Sequence, residues 1–155
     1  MQTATKARGD RGFTLVELMI VVAIATILLS IAVPAYMSYV RQSRRVEAKT
    51  AILDLASREE RFFSTNPAGY TVTPAQLGYT GFGVANPVGS GYYYLTVCSP
   101  ACAPSALAAP SFTITATPVP GQSQTADTQC TSFSVDSGGQ QYSTGTGTVA
   151  YCWGN

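Results

Sequence analysis

Residues 13–33 read FTLVELMIVVAIATILLSIAV, an apolar run of 21 residues with one charge, Glu17, and, beyond Thr14 at its start, two hydroxyl side chains inside it, Thr26 and Ser30. As a helix rising 1.5 Å per residue, it spans roughly 30 Å, the hydrocarbon thickness of a bilayer. A helix that is apolar on every face needs lipid or a large protein core around it. At 155 residues the chain is about one domain long and has little room to bury such a helix. The run is therefore predicted to lie in a membrane or in a bundle of like helices. Lys6, Arg8 and Arg11 precede it and predict an N-terminus held in the cytoplasm. A secretory signal fits badly, because no small-x-small cleavage site follows and the pattern runs on into Pro34 and an amphipathic segment.

Glu17 is the anomaly in this run. A carboxylate in an apolar helix costs several kcal/mol unless it is paired or near the interface. One reading is a capping box, with Thr14 as N-cap and Glu17 three residues on. A carboxylate in the first turn also suits the helix dipole. The other reading adds a partner. Cleavage after Gly12 would free the amine of Phe13, and an amine paired with the Glu17 carboxylate of a neighbouring subunit would set the register of an assembly.

Arg11-Gly12-Phe13-Thr14-Leu15-Val16-Glu17, followed by the apolar run and Pro34, resembles the class III leader of type IV prepilins. Gly12 stands before the cut, Phe13 after it, and Glu17 is the fifth residue of the trimmed chain. The resemblance implies a peptidase that cuts between Gly12 and Phe13 and methylates the Phe13 amine. It implies assembly through Glu17 and Pro34 into a helical filament whose core is this helix. The implied organisation is a cleaved leader over 1–12, a transmembrane or filament-core helix over 13–40, an amphipathic helix over 41–63 and a globular head over 64–155.

Helical periodicity extends over 13–63, about 75 Å at 1.5 Å per residue. Pro34 lacks an amide hydrogen and is expected to kink or locally melt the helix. Beyond Tyr36 the expected apolar stripe is Val46, Ile52 or Leu53, Leu55 or Ala56, and Phe62 or Phe63. Arg41, Arg44, Arg45, Lys49, Arg58, Glu59 and Glu60 are expected on the other faces. Residues 64–90 hold Asn-Pro, Thr-Pro and repeated Gly, the chemistry of an irregular loop. Strands are predicted over 91–98, 111–117 and 131–136, with a possible fourth over 140–144 after a turn at Gly138-Gly139. The fold class is α+β: a long helix whose amphipathic half covers a 3–4-stranded antiparallel sheet, with a disulfide-bounded C-terminal loop.

Charge is unevenly placed. The net charge is +1, yet residues 62–155 hold no Lys or Arg and only two acids, Asp127 and Asp136. The cluster Arg41, Arg44, Arg45 and Lys49 could contact DNA or another subunit, or form a solvated face with local pairs such as Arg44–Glu47. The chain has no His, which removes imidazole-based catalysis and His metal sites. It has no phosphate loop and no hydrolase or metalloprotease motif. Asp127 and Asp136 read as solvated carboxylates at a loop and a strand end. No catalytic residue, metal or cofactor is expected.

Four Cys in an exported, His-free chain favour disulfides over zinc. Three connectivities are open. Cys98–Cys102 with Cys130–Cys152 is the favoured one, since a short loop through Pro100 can bring its ends to disulfide distance. Closing the loop from Cys130 to Cys152 is worth about 3 kcal/mol in the chain-entropy account. Residues 130–152 are also similar to the disulfide-bounded C-terminal loop that recurs in type IV pilins.

The resemblance implies a structural, non-enzymatic subunit made in the inner membrane with its N-terminus cytoplasmic and carried into an extracellular pilus. Its implied partners are other pilins, the prepilin peptidase and methylase, and the inner-membrane assembly machinery. The segment from Arg41-Gln42 to Phe63 and the tail around Cys130, Phe133, Ser134, Cys152 and Trp153 resemble small accessory pilins. A minor pilin supporting assembly, adhesion and twitching is expected. Rival readings are a type II secretion pseudopilin and a DNA-uptake pilin, the latter using the Arg41–Lys49 face or Tyr92, Tyr93, Tyr94 and Trp153 rather than a basic head.

Overall fold

The computed structural model describes residues 12–154. The leader expectation over 1–12, with Lys6, Arg8 and Arg11, falls almost wholly outside the described residues. Helix α1, Leu15–Thr65, runs 51 residues, and the chain divides into two compact units between Tyr39 and Val40.

In the first unit every described side chain is exposed. Thr14 caps the helix: its hydroxyl accepts from the Glu17 amide at 3.2 Å and its carbonyl from the Leu18 amide at 3.2 Å. Only the Thr14 half of the expected capping box forms. Thr26 and Ser30 donate to the carbonyls of Val22 and Ile27, both at 2.7 Å, so the helix ladder absorbs their hydroxyls. Helical structure continues unbroken through Pro34, so the expected local melting does not occur. Proline removes one donor, that owed to the Ser30 carbonyl, and the remaining ladder holds.

In the second unit α1 buries Arg45, Ala48, Ile52, Leu55 and Glu59, a single stripe with alternating three- and four-residue steps. Ile52 and Leu55 fall where the periodicity placed them. Val46 and Leu53 are exposed instead, and Arg45 and Glu59 lie on the buried face. The sequence pattern assumes charges point outward, and here two do not.

The sheet is an antiparallel meander in the order β1 (Pro87–Val88), β2 (Tyr93–Cys98), β3 (Thr113–Pro118), β4 (Ser132–Asp136), β5 (Gln141–Thr144). It has one strand more than expected. β1 is two residues long and pairs Pro87 with Tyr94 and Val88 with Tyr93. Two residues carry no readable alternation, and Pro87 sits on an edge where its missing amide costs nothing.

Alternation sends Tyr93, Leu95, Ile114, Ala116, Phe133 and Val135 into a core with Ala48, Ile52 and Leu55. Each large side chain buried there contributes about 1.5–3 kcal/mol. Trp153, on the short helix α2 (Val149–Trp153), closes the core edge-on to Phe133 at 5.9 Å between ring centroids. Disulfides join Cys98 to Cys102 and Cys130 to Cys152, with Cα separations of 5.9 and 5.7 Å. The first closes the loop leaving β2. The second ties α2 to the residues entering β4.

Candidate functional site

Gly12, Phe13, Glu17 and Pro34 all lie in the exposed first unit. Phe13 is 80% exposed and the run from Leu15 to Val33 presents apolar side chains on every side. Among the described residues α1 is the one helix long and apolar enough to cross a membrane, and none of its apolar stretch is buried.

The basic cluster divides by function. Arg45 is buried in a two-pronged ion pair: Nε and Nη2 donate to the Asp127 carboxylate at 2.6 and 2.7 Å. That hydrogen bond and charge hold its guanidinium protonated against the opposing effect of burial. Lys49 donates to the carbonyls of Trp153 and Cys152 at 3.1 and 3.4 Å, satisfying the open end of α2. Burial, then the Arg45 charge, pushes the Lys49 pKa down. Arg44 lies over the Tyr92 ring at 3.5 Å and donates to Ser123 at 2.7 Å. Arg41 is half-buried, with its Nε enclosed and unpartnered. The local pairs expected on this helix do not form. Glu47 reaches instead to Ser90, accepting from its amide and its hydroxyl.

Neither acid of the head is solvated. Asp127 also accepts from Gln124 Nε2 at 3.1 Å and from the Cys130 amide at 3.3 Å. Asp136 accepts from Ser105 and Tyr142, both at 2.8 Å, and from the amides of Gly138 and Gln140 at 2.9 and 3.0 Å. Burial works against its ionisation, but these donors outweigh it and the pKa lies below the ordinary value. The two carboxylates anchor separate loops through separate sets of donors. All four cysteines are in disulfides, so none offers a thiolate.

Glu59, expected on an outward face of the helix, lies on the buried one. It is fully buried, with Oε2 accepting from the Thr71 amide at 3.2 Å and Oε1 without a partner. Burial pushes its pKa up; the Thr71 bond lowers it and the Glu60 charge raises it. The 3–4 spacing from Ile52 and Leu55 was the signal available.

Of the aromatic set, Tyr93 is 1% exposed and Trp153 7%, so neither can stack on a base. Tyr92 and Tyr94 are half-buried. Arg61 is exposed beside a cleft of about 370 Å³ that Arg58 and Phe62 also line. Arg58 is engaged with Asp54 at 2.8 Å and the Leu77 carbonyl at 3.1 Å.

Residues 34–134 match the family described as "Type IV minor pilin ComP, DNA uptake sequence receptor", and residues 7–33 match the prokaryotic N-terminal methylation motif. The type IV major pilin protein PilA of Myxococcus xanthus is 49% identical over 55 residues, 36% of this chain and 25% of that protein. The type IV major fimbrial protein FimA of Dichelobacter nodosus is 34% identical over 99 residues, 51% of this chain and 64% of that protein. The match thus spans about a quarter of PilA and just under two thirds of FimA. A type IV pilin structure from Shewanella oneidensis is similar at 22% identity and a TM-score of 0.45, covering 65% of this chain and 89% of that one.

Proposed function

The chain belongs to the type IV pilin family described as the minor pilin ComP, DNA uptake sequence receptor, and on that premise we propose that it works as a minor structural subunit of a type IV pilus. The observation that carries this reading is the helix from Leu15 to Tyr39, apolar and exposed on all sides. In a monomer such a surface is tenable only in lipid. In a fibre, like helices cover one another.

The precursor sits in the inner membrane with its N-terminus in the cytoplasm. A prepilin peptidase cuts between Gly12 and Phe13 and methylates the new amine. The Phe13 amine then pairs with Glu17 of a neighbouring subunit, a charge pair worth forming only because each unpaired partner is costly in a dry bundle. Pro34 gives the helix a site of reduced hydrogen bonding for packing in the fibre. Transfer from lipid to bundle roughly conserves apolar burial, so assembly and disassembly have a small net free energy. That suits a fibre cycled by motors, and with it adhesion and twitching. The head, from about residue 41 onward, decorates the outside.

Intact-mass and N-terminal analysis of sheared surface fibres tests this. A chain beginning at methylated Phe13 is the expected result. Fibres lacking the chain, or containing it with Met1 retained, would refute the reading.

The family match favours a second reading, a receptor for DNA. Its contacts would fall to exposed Arg61 and half-buried Arg41, and to Arg44 where its bond to Ser123 is exchanged for a phosphate, since Arg45 and Lys49 hold the fold together within the head. Phosphate contacts make affinity fall steeply with salt. Gel retardation by the full chain in detergent, weakened by Arg44→Ala together with Arg61→Ala, supports it; no retardation at low salt removes it.

A further inference from the structure

Glu59 is the one buried acid of the head that has neither a cation nor a full set of donors. It lies on the face of α1 that also buries Ile52 and Leu55. Its Oε2 accepts from the Thr71 amide at 3.2 Å, and its Oε1 has no partner. The titratable groups that bear on it are Glu60, beside it on the helix, and Tyr70, on the segment facing it. Among the described residues no cation does. Arg58 is turned to Asp54 and the Leu77 carbonyl, and Arg61 is exposed.

The chain that meets Glu59 is the connection over residues 66–78. It joins no strand of the sheet and holds one short 3-10 turn, Pro74–Leu77. Beyond Asn66 its backbone bonds are mostly local: the amides of Gly69, Gln76 and Gly78 donate to the carbonyls of Asn66, Thr73 and Ala75. Its backbone reaches α1 side chains at two points, the Thr71 amide donating to Glu59 and the Leu77 carbonyl accepting from Arg58 at 3.1 Å. Tyr70 adds a hydroxyl donated to Glu60 at 3.0 Å and a ring stacked on Phe63 at 4.6 Å. Leu77 is its one apolar side chain in the buried core, and Tyr70 packs against that core from outside.

A neutral carboxyl group with one bond is tolerable at this depth. A carboxylate there has lost its water and gained no counter-charge, and Glu60 adds a like charge. Lifting residues 66–78 hydrates it and sacrifices few contacts, whereas hydrating it through the sheet would dismantle the core. Segments with few buried apolar contacts open at free energies well below that of global unfolding. We propose that Glu59 is a proton-operated latch: uncharged, it holds residues 66–78 against α1; ionised, it releases them while the sheet stays folded. The released segment carries Gln76, Leu77 and Gly78, which form part of the wall of the cleft of about 370 Å³ that Arg58 and Arg61 also line. The shape of that cleft then follows the protonation of Glu59.

The test is amide exchange of the full chain in detergent micelles, corrected for the intrinsic pH dependence of exchange. Protection of the Thr71 amide should fall about tenfold per pH unit from the ordinary Glu59 value of 4.5 up to its raised folded value, then level off. Low urea should leave this exchange unchanged while it speeds that of the β2–β4 amides, because a local opening exposes little surface. Glu59→Gln should make the protection flat with pH, and Glu60→Gln should leave the fall in place. Should Glu59→Gln not fold, the carbon-13 shift of the Glu59 carboxyl in the unaltered chain carries the test: it should titrate where the protection levels off. Flat protection in the unaltered chain, a fall that survives Glu59→Gln or vanishes in Glu60→Gln, or a Glu59 carboxyl that titrates at or below 4.5 overturns the proposal. So does Thr71 exchange that follows urea in step with the sheet, which would leave global unfolding as the only opening.

Discussion

Three acidic side chains of the head are buried, and each is handled differently. Asp127 has a cation, Asp136 has four neutral donors, and Glu59 has a single amide. Removing Asp127 leaves the Arg45 guanidinium buried and unpaired, a loss of about 3–5 kcal/mol. Asp127→Ala should therefore shift the urea midpoint far more than Asp54→Ala, whose partner Arg58 is partly exposed. Glu59 predicts the opposite sign. Its folded pKa is raised above the ordinary 4.5, so the stability it contributes is full below that pH and is lost as pH rises through the folded value. Glu59→Gln keeps an acceptor for the Thr71 amide and removes the charge. It should raise the melting temperature at pH 8 and leave it nearly unchanged at pH 4; an equal or lower melt at pH 8 would contradict this. For Asp136 the pKa is lowered, so its contribution is present above the ordinary 3.8 and disappears as pH falls through the folded value. Asp136→Asn should make the melt less sensitive to acid below pH 4.

Among the elements, the C-terminal tail has the least packing of its own. Helix α2 is five residues long and depends on the Thr148 hydroxyl at its N-cap, on Lys49 at its carbonyl end and on Cys152. Replacing Cys130 and Cys152 together by Ser should cost about 3 kcal/mol, the loop-closure value. Thr148→Ala should cost about 1 kcal/mol. Exchange of the amides of residues 151 and 152 should quicken in both variants before the β2–β4 amides respond. α1 and the three central strands were legible because their periods run long enough to read: unbroken apolar residues in the first half, Ile52 with Leu55 in the second, alternation over β2 to β4. β1 was not, since two residues have no period. Gly89, at φ +54 between β1 and β2, lies where a Cβ would collide with the Glu47 carboxylate bonded to Ser90. That contact joins positions 43 residues apart, which no local pattern reveals. The same reason hid the role of the basic cluster. Arg45 and Asp127 are 82 residues apart, and each alone looks like a solvated charge.

For the whole molecule the consequence is a chain whose two units need different surroundings. The described residues up to Tyr39 form a helix that exposes mainly apolar side chains, and the unit from Val40 onward has its own core. Burial of the first unit must come from lipid, detergent or other copies, because nothing within the described chain covers it. Its affinity for a detergent phase should then belong to that segment alone. In a cloud-point separation the full chain should enter the detergent-rich phase at low and high salt alike, since apolar transfer is not screened by ions. A chain beginning at Val40 should stay in the aqueous phase. It should show the same far-ultraviolet signature per head residue and the same dependence on the Cys130–Cys152 bond. If that shorter chain followed the detergent, the head itself would carry an apolar docking surface. The apolar helix would then no longer account for the proposed membrane insertion and fibre assembly, and the division of labour between the units would fail.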